Sequence, residues 1–92
     1  MDEKDAGTIR TYADPPAEPV DVDARGLLCP LPVLRLRKAL GAAPPGTRVR
    51  LLATDPASQV DVPHFCNQTG HRLVETRQRA HGFAYLVEKP KR

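Results

Sequence analysis

The stretch RGLLCPLPV, residues 25–33, places one cysteine between a glycine and two alternate prolines. Gly26 permits a tight backbone turn that a side chain would resist. Pro30 favours extended geometry at Cys29, and Pro32 suits the first position of a helix, where its missing N–H costs nothing. The pattern therefore predicts a turn, then an exposed thiol, then a helix that begins at Pro32.

A cysteine placed just before a helix lies near the positive end of the helix dipole, which favours the reactive thiolate. This effect is modest at a helix terminus, so we expect a small fall in the pKa of the Cys29 thiol. The stretch contains no histidine or acid that could act as a dedicated base. An exposed, mildly activated thiol without a base suits sulfur exchange better than hydrolysis.

The rest of the chain predicts six segments of regular structure. Apolar residues alternate in the predicted strands and recur every three or four positions in the predicted helices. Pro63 falls inside the second helix, so we expect that helix to be kinked or in two pieces. The segments, in order, are a strand at 20–24, a helix at 32–42, a strand at 48–54, a helix from the Asp55 cap to Thr69, and strands at 71–77 and 83–88.

This order predicts the α/β class, as a two-layer βαβαββ sandwich with a four-stranded mixed sheet and both helices on one face. The first strand–helix–strand unit implies two parallel strands joined by a right-handed crossover. Functional groups collect at the carboxyl ends of such strands. Cys29 follows one strand and Asp55 follows the other, so we expect them to be neighbours. Asp55 before Pro56 is also typical of a helix N-cap, which is its simpler explanation.

Length and composition limit the class of protein. The chain has 92 residues, of which 40% are hydrophobic, enough for one small globular domain. We predict an acidic, unstructured extension at 1–18, a domain at 19–89 and a basic tail at 90–92. Two cysteines are too few for a disulfide scaffold, and we find neither a signal peptide nor a membrane span. We therefore expect a cytoplasmic protein with reduced thiols.

Several short motifs of the chain resemble the TusA (SirA-like) sulfur-carrier family, whose signature is a Gly-Leu-x-Cys-Pro-x-Pro segment. The likeness runs over roughly residues 20 to 88, almost the whole predicted domain, and implies the same two-layer fold. The matching segments are Asp23–Pro32, Arg37–Leu40, Thr54–Ala57, Pro63–Cys66 and Thr69–His71.

The resemblance implies that Cys29 accepts a sulfane sulfur as a persulfide and relays it to a partner protein. It implies a cysteine desulfurase or a rhodanese-like protein as donor, and a downstream sulfur-accepting protein. It leaves open whether the pathway is tRNA thiolation, cofactor biosynthesis or sulfur oxidation. Gly26, Pro30 and Pro32 would position the thiol. The candidates for partner docking or for stabilising the sulfur anion are Arg25, Arg37, Lys38 and, as a family motif residue, Asp55. The chain has no cofactor motif, so we expect a relay protein with transferase-type chemistry rather than a self-sufficient enzyme.

Two other readings of the sequence remain open. The net charge of +3 divides into −3 for residues 1–18 and +6 for the remainder, so the domain could be a basic RNA- or protein-binding regulatory module. Four aromatic residues offer few platforms for bases, which makes direct nucleic-acid binding the weaker reading. A thiol redox sensor would need Cys66 as resolving cysteine. The helical pattern instead predicts Cys66 in the core, and its spacing to His71 does not suggest a metal site.

Overall fold

The computed structural model describes residues 15–91, which form four strands and two helices. Two residue stretches predicted as tails, 1–14 and Arg92, lie outside the described residues, and 15–18 form no helix or strand. The elements are β1 (Val20–Ala24), α1 (Leu31–Ala42), β2 (Arg48–Ala53), α2 (Ser58–Thr69), β3 (Arg72–Arg79) and β4 (Gly82–Glu88).

The four strands make one mixed sheet in the order β1-β2-β4-β3. β1 runs parallel to β2, with Val22 opposite Leu51. β4 is antiparallel to both neighbours and pairs Tyr85 with Leu51 on one side and with Thr76 on the other. The predicted βαβαββ fold and mixed sheet are therefore confirmed, with the parallel pair at one end of the sheet and the hairpin at the other.

The core lies between the sheet and the two helices. Alternate residues of β2, Val49, Leu51 and Ala53, are buried, as their period of two predicted. From the helices, the core receives side chains spaced three or four positions apart, as a single apolar stripe requires. The buried core residues of the helices and β4 are Leu36, Leu40, Val62, Phe65, Cys66, Tyr85 and Val87. The inward side of β1 is less well covered, since Val20 is 39% exposed.

The opposite face of the sheet is charged, and its arginines donate hydrogen bonds to carboxylates on the same strand or on a neighbouring strand. Arg50 Nη1 lies 3.0 Å from Asp21 Oδ1, and Arg72 Nη1 lies 3.3 Å from Glu88 Oε1. Arg77 pairs with Glu75 within β3. These pairs are exposed and each contributes little to stability, but they neutralise much of the positive charge of this face.

Helix α2 begins at Ser58 rather than directly after Asp55, and it continues through Pro63 rather than dividing into two pieces there. Proline removes one backbone hydrogen bond, here to the carbonyl of Gln59. Both residues are exposed, so the turn without this bond lies on the solvent side of the helix, away from the core.

The C-terminal ends of the helices are closed by different means. Gly70 caps α2 in the left-handed conformation, with φ of 78°, as predicted. At the end of α1, the Lys89 ammonium donates to the carbonyls of Leu40 and Ala43, each at 2.8 Å. Neither helix in residues 15–91 has the length and apolar character that crossing a bilayer requires.

Candidate functional site

The candidate site lies where the carboxyl ends of β1 and β2 meet. The turn after β1 is tied to the loop after β2 by two hydrogen bonds. The Gly26 N–H donates to Thr54 Oγ1 at 2.9 Å, and the Cys29 N–H donates to Asp55 Oδ2 at 2.7 Å. Gly26 has a φ of 82°, a left-handed conformation that explains the glycine. The predicted proximity of Cys29 and Asp55 is therefore confirmed.

Cys29 is exposed at the end of this turn, immediately before α1. The Leu31 N–H donates to the Leu28 carbonyl at 2.8 Å, which closes the turn around the cysteine. Pro30 occupies the N-cap position and α1 begins at Leu31, so Pro32 is the second helical residue rather than the first. The Cys29–Pro30 peptide bond is cis. The prolines thus leave the thiol accessible at the helix start, one position from where the sequence placed it.

The thiol opens onto a shallow cleft of about 360 Å³ between α1 and α2. α1 contributes Arg37 to its lining, and α2 contributes Asp61, His64 and Gln68. Val33 and Phe65 line the apolar part of the cleft. Cys29 therefore faces a mixed surface that includes a cation, a carboxylate and apolar side chains. Such an open surface fits a docked side chain or a short segment of a partner better than an enclosed substrate.

The expected fall in the pKa of Cys29 is wrong. Its pKa is raised, first because the Asp61 side chain hydrogen-bonds the thiol, then through desolvation and the negative charges of Asp61 and Asp55. The helix start offers little compensation, since Pro32 has no N–H and that of Leu31 is already bonded to a carbonyl. The resting Cys29 is therefore a neutral thiol at neutral pH.

Asp55 connects the two loops and caps the turn that leads into α2. Its Oδ1 accepts the Ala57 N–H at 3.1 Å, while its Oδ2 accepts the Cys29 N–H at 2.7 Å. These two backbone donors lower the pKa of the Asp55 carboxyl. The predicted N-cap position is two residues early, because a turn at residues 55–57 precedes α2, whose N-cap position is occupied by Ala57. Asp55 still accepts the N–H two positions on, as a capping side chain does, and it also fixes the backbone that presents the thiol.

The structure separates the three predicted basic residues. Arg37 lines the cleft with Cys29. Arg25 folds back onto Asp23, with Nε 2.9 Å from Oδ1, and this pair holds the pKa of the Asp23 carboxyl well below its usual range. Lys38 lies on another side of α1, beside the exposed Leu34. Only Arg37 is thus placed to act on a sulfur at Cys29.

The α2 residues that line the cleft are not among the site candidates predicted from the sequence. Asp61, His64 and Gln68 recur at helical spacing, on the side of α2 opposite its core residues. That side faces the thiol because α1 and α2 lie next to each other on the sheet, which the chain order alone does not reveal. The sequence signal that could have identified them is the helical spacing of these three polar residues on one side of α2.

Cys66 lies in the core, 3% exposed, as its position on α2 predicted. Burial raises the pKa of its thiol, and neither cysteine forms a disulfide in the described part of the chain. His71 stacks on Phe65 and bonds through Nδ1 to Thr69 Oγ1 at 2.7 Å. Within residues 15–91, no three histidine, cysteine or acidic side chains come together as metal ligands do.

Comparison with known proteins identifies the family. The family model described as Sulfurtransferase TusA matches residues 20–89. The chain belongs to the TusA family. It is 42% identical over 69 residues to the sulfur carrier protein TusA of Allochromatium vinosum, covering 75% of this chain and 91% of that protein. It is 39% identical over 77 residues to the protein of the same name from Pseudomonas fluorescens, covering 82% and 93%.

A third relative extends the comparison. The sulfur carrier protein TusA of Pseudomonas aeruginosa strain LESB58 is 40% identical over 68 residues, which cover 74% of this chain and 86% of that protein. The relatives therefore match this chain over nearly their whole length. The resemblance found in the sequence is confirmed, and the exposed cysteine lies inside the region that the family shares.

Proposed function

We propose that this TusA-family protein is a sulfur carrier that holds a sulfane sulfur as a persulfide on Cys29 and passes it to a partner protein. The observation that supports this most directly is the position of Cys29, exposed before α1 within the family region. Cys66, the other thiol, is buried in the core. A carrier needs a sulfur that two different proteins can reach in turn, and only Cys29 meets that need.

The surroundings of Cys29 divide into residues that position it and residues that meet a partner. Gly26, Pro30 and Pro32 shape the turn and the helix start that present the thiol. Asp55 fixes the Cys29 backbone through a 2.7 Å hydrogen bond. These residues restrain the backbone of the cysteine but leave its sulfur free, which suits a group that must move between two active sites.

The basic residues have different roles in this proposal. Arg37 lines the cleft and stabilises the sulfur anion during transfer, since a guanidinium favours a nearby thiolate or persulfide anion. Lys38 and Arg25 lie outside the cleft and dock partner proteins. Lys38 adjoins the exposed Leu31 and Leu34, a mixed apolar and basic surface typical of a contact with an acidic partner.

The donor that we propose is a cysteine desulfurase or a rhodanese-like protein, and the acceptor is a downstream protein with its own reactive cysteine. The chain needs no cofactor for this relay, because the sulfur arrives already in the sulfane state. The protein is therefore a relay with transferase-type chemistry rather than a self-sufficient enzyme. We place it in the cytoplasm, where exposed thiols stay reduced.

The test is to load the protein and locate the added sulfur. The protein is incubated with cysteine and a cysteine desulfurase, or with thiosulfate and a rhodanese, and intact and peptide masses are recorded. We expect a gain of one sulfur on the peptide that contains Cys29. Cys29→Ala removes the gain, and the matched control Cys66→Ala retains it. A gain that persists in Cys29→Ala, or no gain from either donor, contradicts the proposal.

The competing interpretation as a nucleic-acid-binding module receives less support from the sheet surface. Its arginines are largely engaged by carboxylates, as in the 3.0 Å pair of Arg50 with Asp21. Phosphate contacts would have to displace these partners, which weakens any binding. A fluorescence titration with single-stranded RNA should therefore show little affinity at physiological salt.

A further inference from the structure

Two carboxylates approach Cys29 from different segments, and they are engaged differently. Asp55 already accepts two backbone N–H groups, one of them from Cys29 itself. Asp61 lies in the first turn of α2, where its own N–H donates to the Ala57 carbonyl at 2.9 Å. Its half-buried side chain lines the same cleft as the Cys29 thiol. The Asp61 carboxylate therefore faces the cleft that holds the sulfur, whereas the Asp55 carboxylate holds the backbone of Cys29.

The remaining charged and titratable groups around the thiol come from both helices. Arg37 lines the cleft from α1, and His64 lines it from α2, one helical turn after Asp61. The sheet contributes no charged side chain to the cleft in the described part of the chain. The thiol thus shares its cleft with the Asp61 carboxylate and the Arg37 guanidinium, while the Asp55 carboxylate is engaged by backbone N–H groups.

We propose that the Asp61 carboxylate keeps the Cys29 thiol protonated in the free protein, so that the proton is released only during sulfur transfer. This inference rests on the proposed function and adds the control of its reactive group. A carboxylate that shares a small cleft with a thiol favours the protonated sulfur, because its negative charge repels the thiolate. The free carrier is thereby protected from oxidants and alkylating agents, which attack thiolates.

The loading step is balanced without any oxidant. The Cys29 sulfur attacks the terminal sulfur of the donor's persulfide, so a new S–S bond forms while the S–S bond of the donor breaks. The donor cysteine leaves as a thiolate and takes the proton that the Cys29 thiol releases. The transferred sulfur keeps its oxidation state, and Cys29 ends as a persulfide.

The test measures the alkylation of Cys29 by iodoacetamide as a function of pH, with the modified peptides quantified by mass. We expect Asp61→Asn to move the pH midpoint downward and to make alkylation at pH 7 about threefold faster or more, since each pH unit of midpoint shift corresponds to about a tenfold change. Asp61→Glu, which keeps the charge, should stay closer to wild type. Asp21→Asn, the same substitution at an exposed carboxylate of β1 that does not line the cleft, is the matched control and should leave the midpoint in place.

Cys66 provides an internal check of folding. Because it is buried, alkylation of its peptide reports a variant that has opened, and the comparison is then repeated at a lower temperature where Cys66 is protected. A folded Asp61→Asn protein with the midpoint and rate of wild type would overturn the role of Asp61. That result can coexist with sulfur loading on Cys29. Conversely, a shifted midpoint in a protein that accepts no sulfur contradicts the proposed function and leaves the proton control standing.

Discussion

The hydrogen bond between Ser58 and Tyr85 offers a sharp test of how the sheet supports the site. The two hydroxyl oxygens are 2.7 Å apart, and the residues are 2% and 0% exposed. Ser58 is the first residue of α2, three positions before Asp61. This bond therefore ties the helix that lines the cleft to the centre of the sheet.

Removing one of the two hydroxyl groups leaves the other hydroxyl without a hydrogen-bond partner in the core. Tyr85→Phe removes a hydroxyl and strands that of Ser58, which costs about 1–2 kcal/mol of unfolding free energy. For a domain of this size the midpoint of thermal unfolding should fall by roughly 4–16 °C. Ser58→Ala should cost a similar amount because it strands the tyrosine hydroxyl. The double variant removes both polar groups, so its loss should be smaller than the sum of the two by about 1 kcal/mol.

Urea unfolding followed by circular dichroism measures these energies for the wild type and the three variants. The slope of the transition should stay constant while the midpoint moves, as expected when only stability changes. Purely additive losses, or a Tyr85→Phe protein within about 0.3 kcal/mol of wild type, would refute the reasoning. The first result would mean that the hydroxyls do not depend on one another. The second would mean that the Ser58 hydroxyl finds another partner.

Three further predictions concern the loops and helix ends. Lys89→Met removes the ammonium that caps two carbonyls of α1 and should cost about 1–2 kcal/mol in urea unfolding. Asp55 has a pKa lowered in the folded state, so it stabilises the protein above its ordinary pKa, and this contribution is lost as the pH falls through the lowered value. Stability measured against pH should therefore decline less steeply on acidification in Asp55→Asn. In Gly82→Ala a Cβ would meet the Ala53 carbonyl oxygen at 2.5 Å with φ at +145°, so thermal unfolding should show a loss above about 2 kcal/mol.

The fold followed from the sequence because its signals are local and agree with one another. The alternation in residues 48–53 defines a strand with one buried face, and Gly70 marks the end of α2. Pro63 was predicted to kink α2 or to divide it, and the helix does not divide there; the missing hydrogen bond to Gln59 lies on its exposed side.

Only the part of the site that follows from the strand order was predictable from the sequence. The carboxyl ends of two parallel strands meet at one edge of the sheet, so the sequence alone predicted that Cys29 and Asp55 are neighbours. The pKa of the thiol was not predictable in the same way, because it depends on Asp61, which is 32 positions away in the chain. The basic residues near Cys29 in sequence suggested a positive setting. Two of them, Arg25 and Lys38, lie outside the cleft.

The Cys29 thiol is both exposed and weakly acidic, and these two properties give the carrier and its partners different roles in the transfer. An exposed thiolate would react with any oxidised sulfur compound that it met, whereas a protonated thiol reacts slowly. Cys29 is exposed, yet the carboxylate of Asp61 favours the protonated state. In the proposed mechanism, the activating positive charge comes from Arg37 in the cleft and from a cation of the docked donor. We then expect selectivity to come from docking, because a partner that fits the cleft shifts the proton as it takes or gives the sulfur.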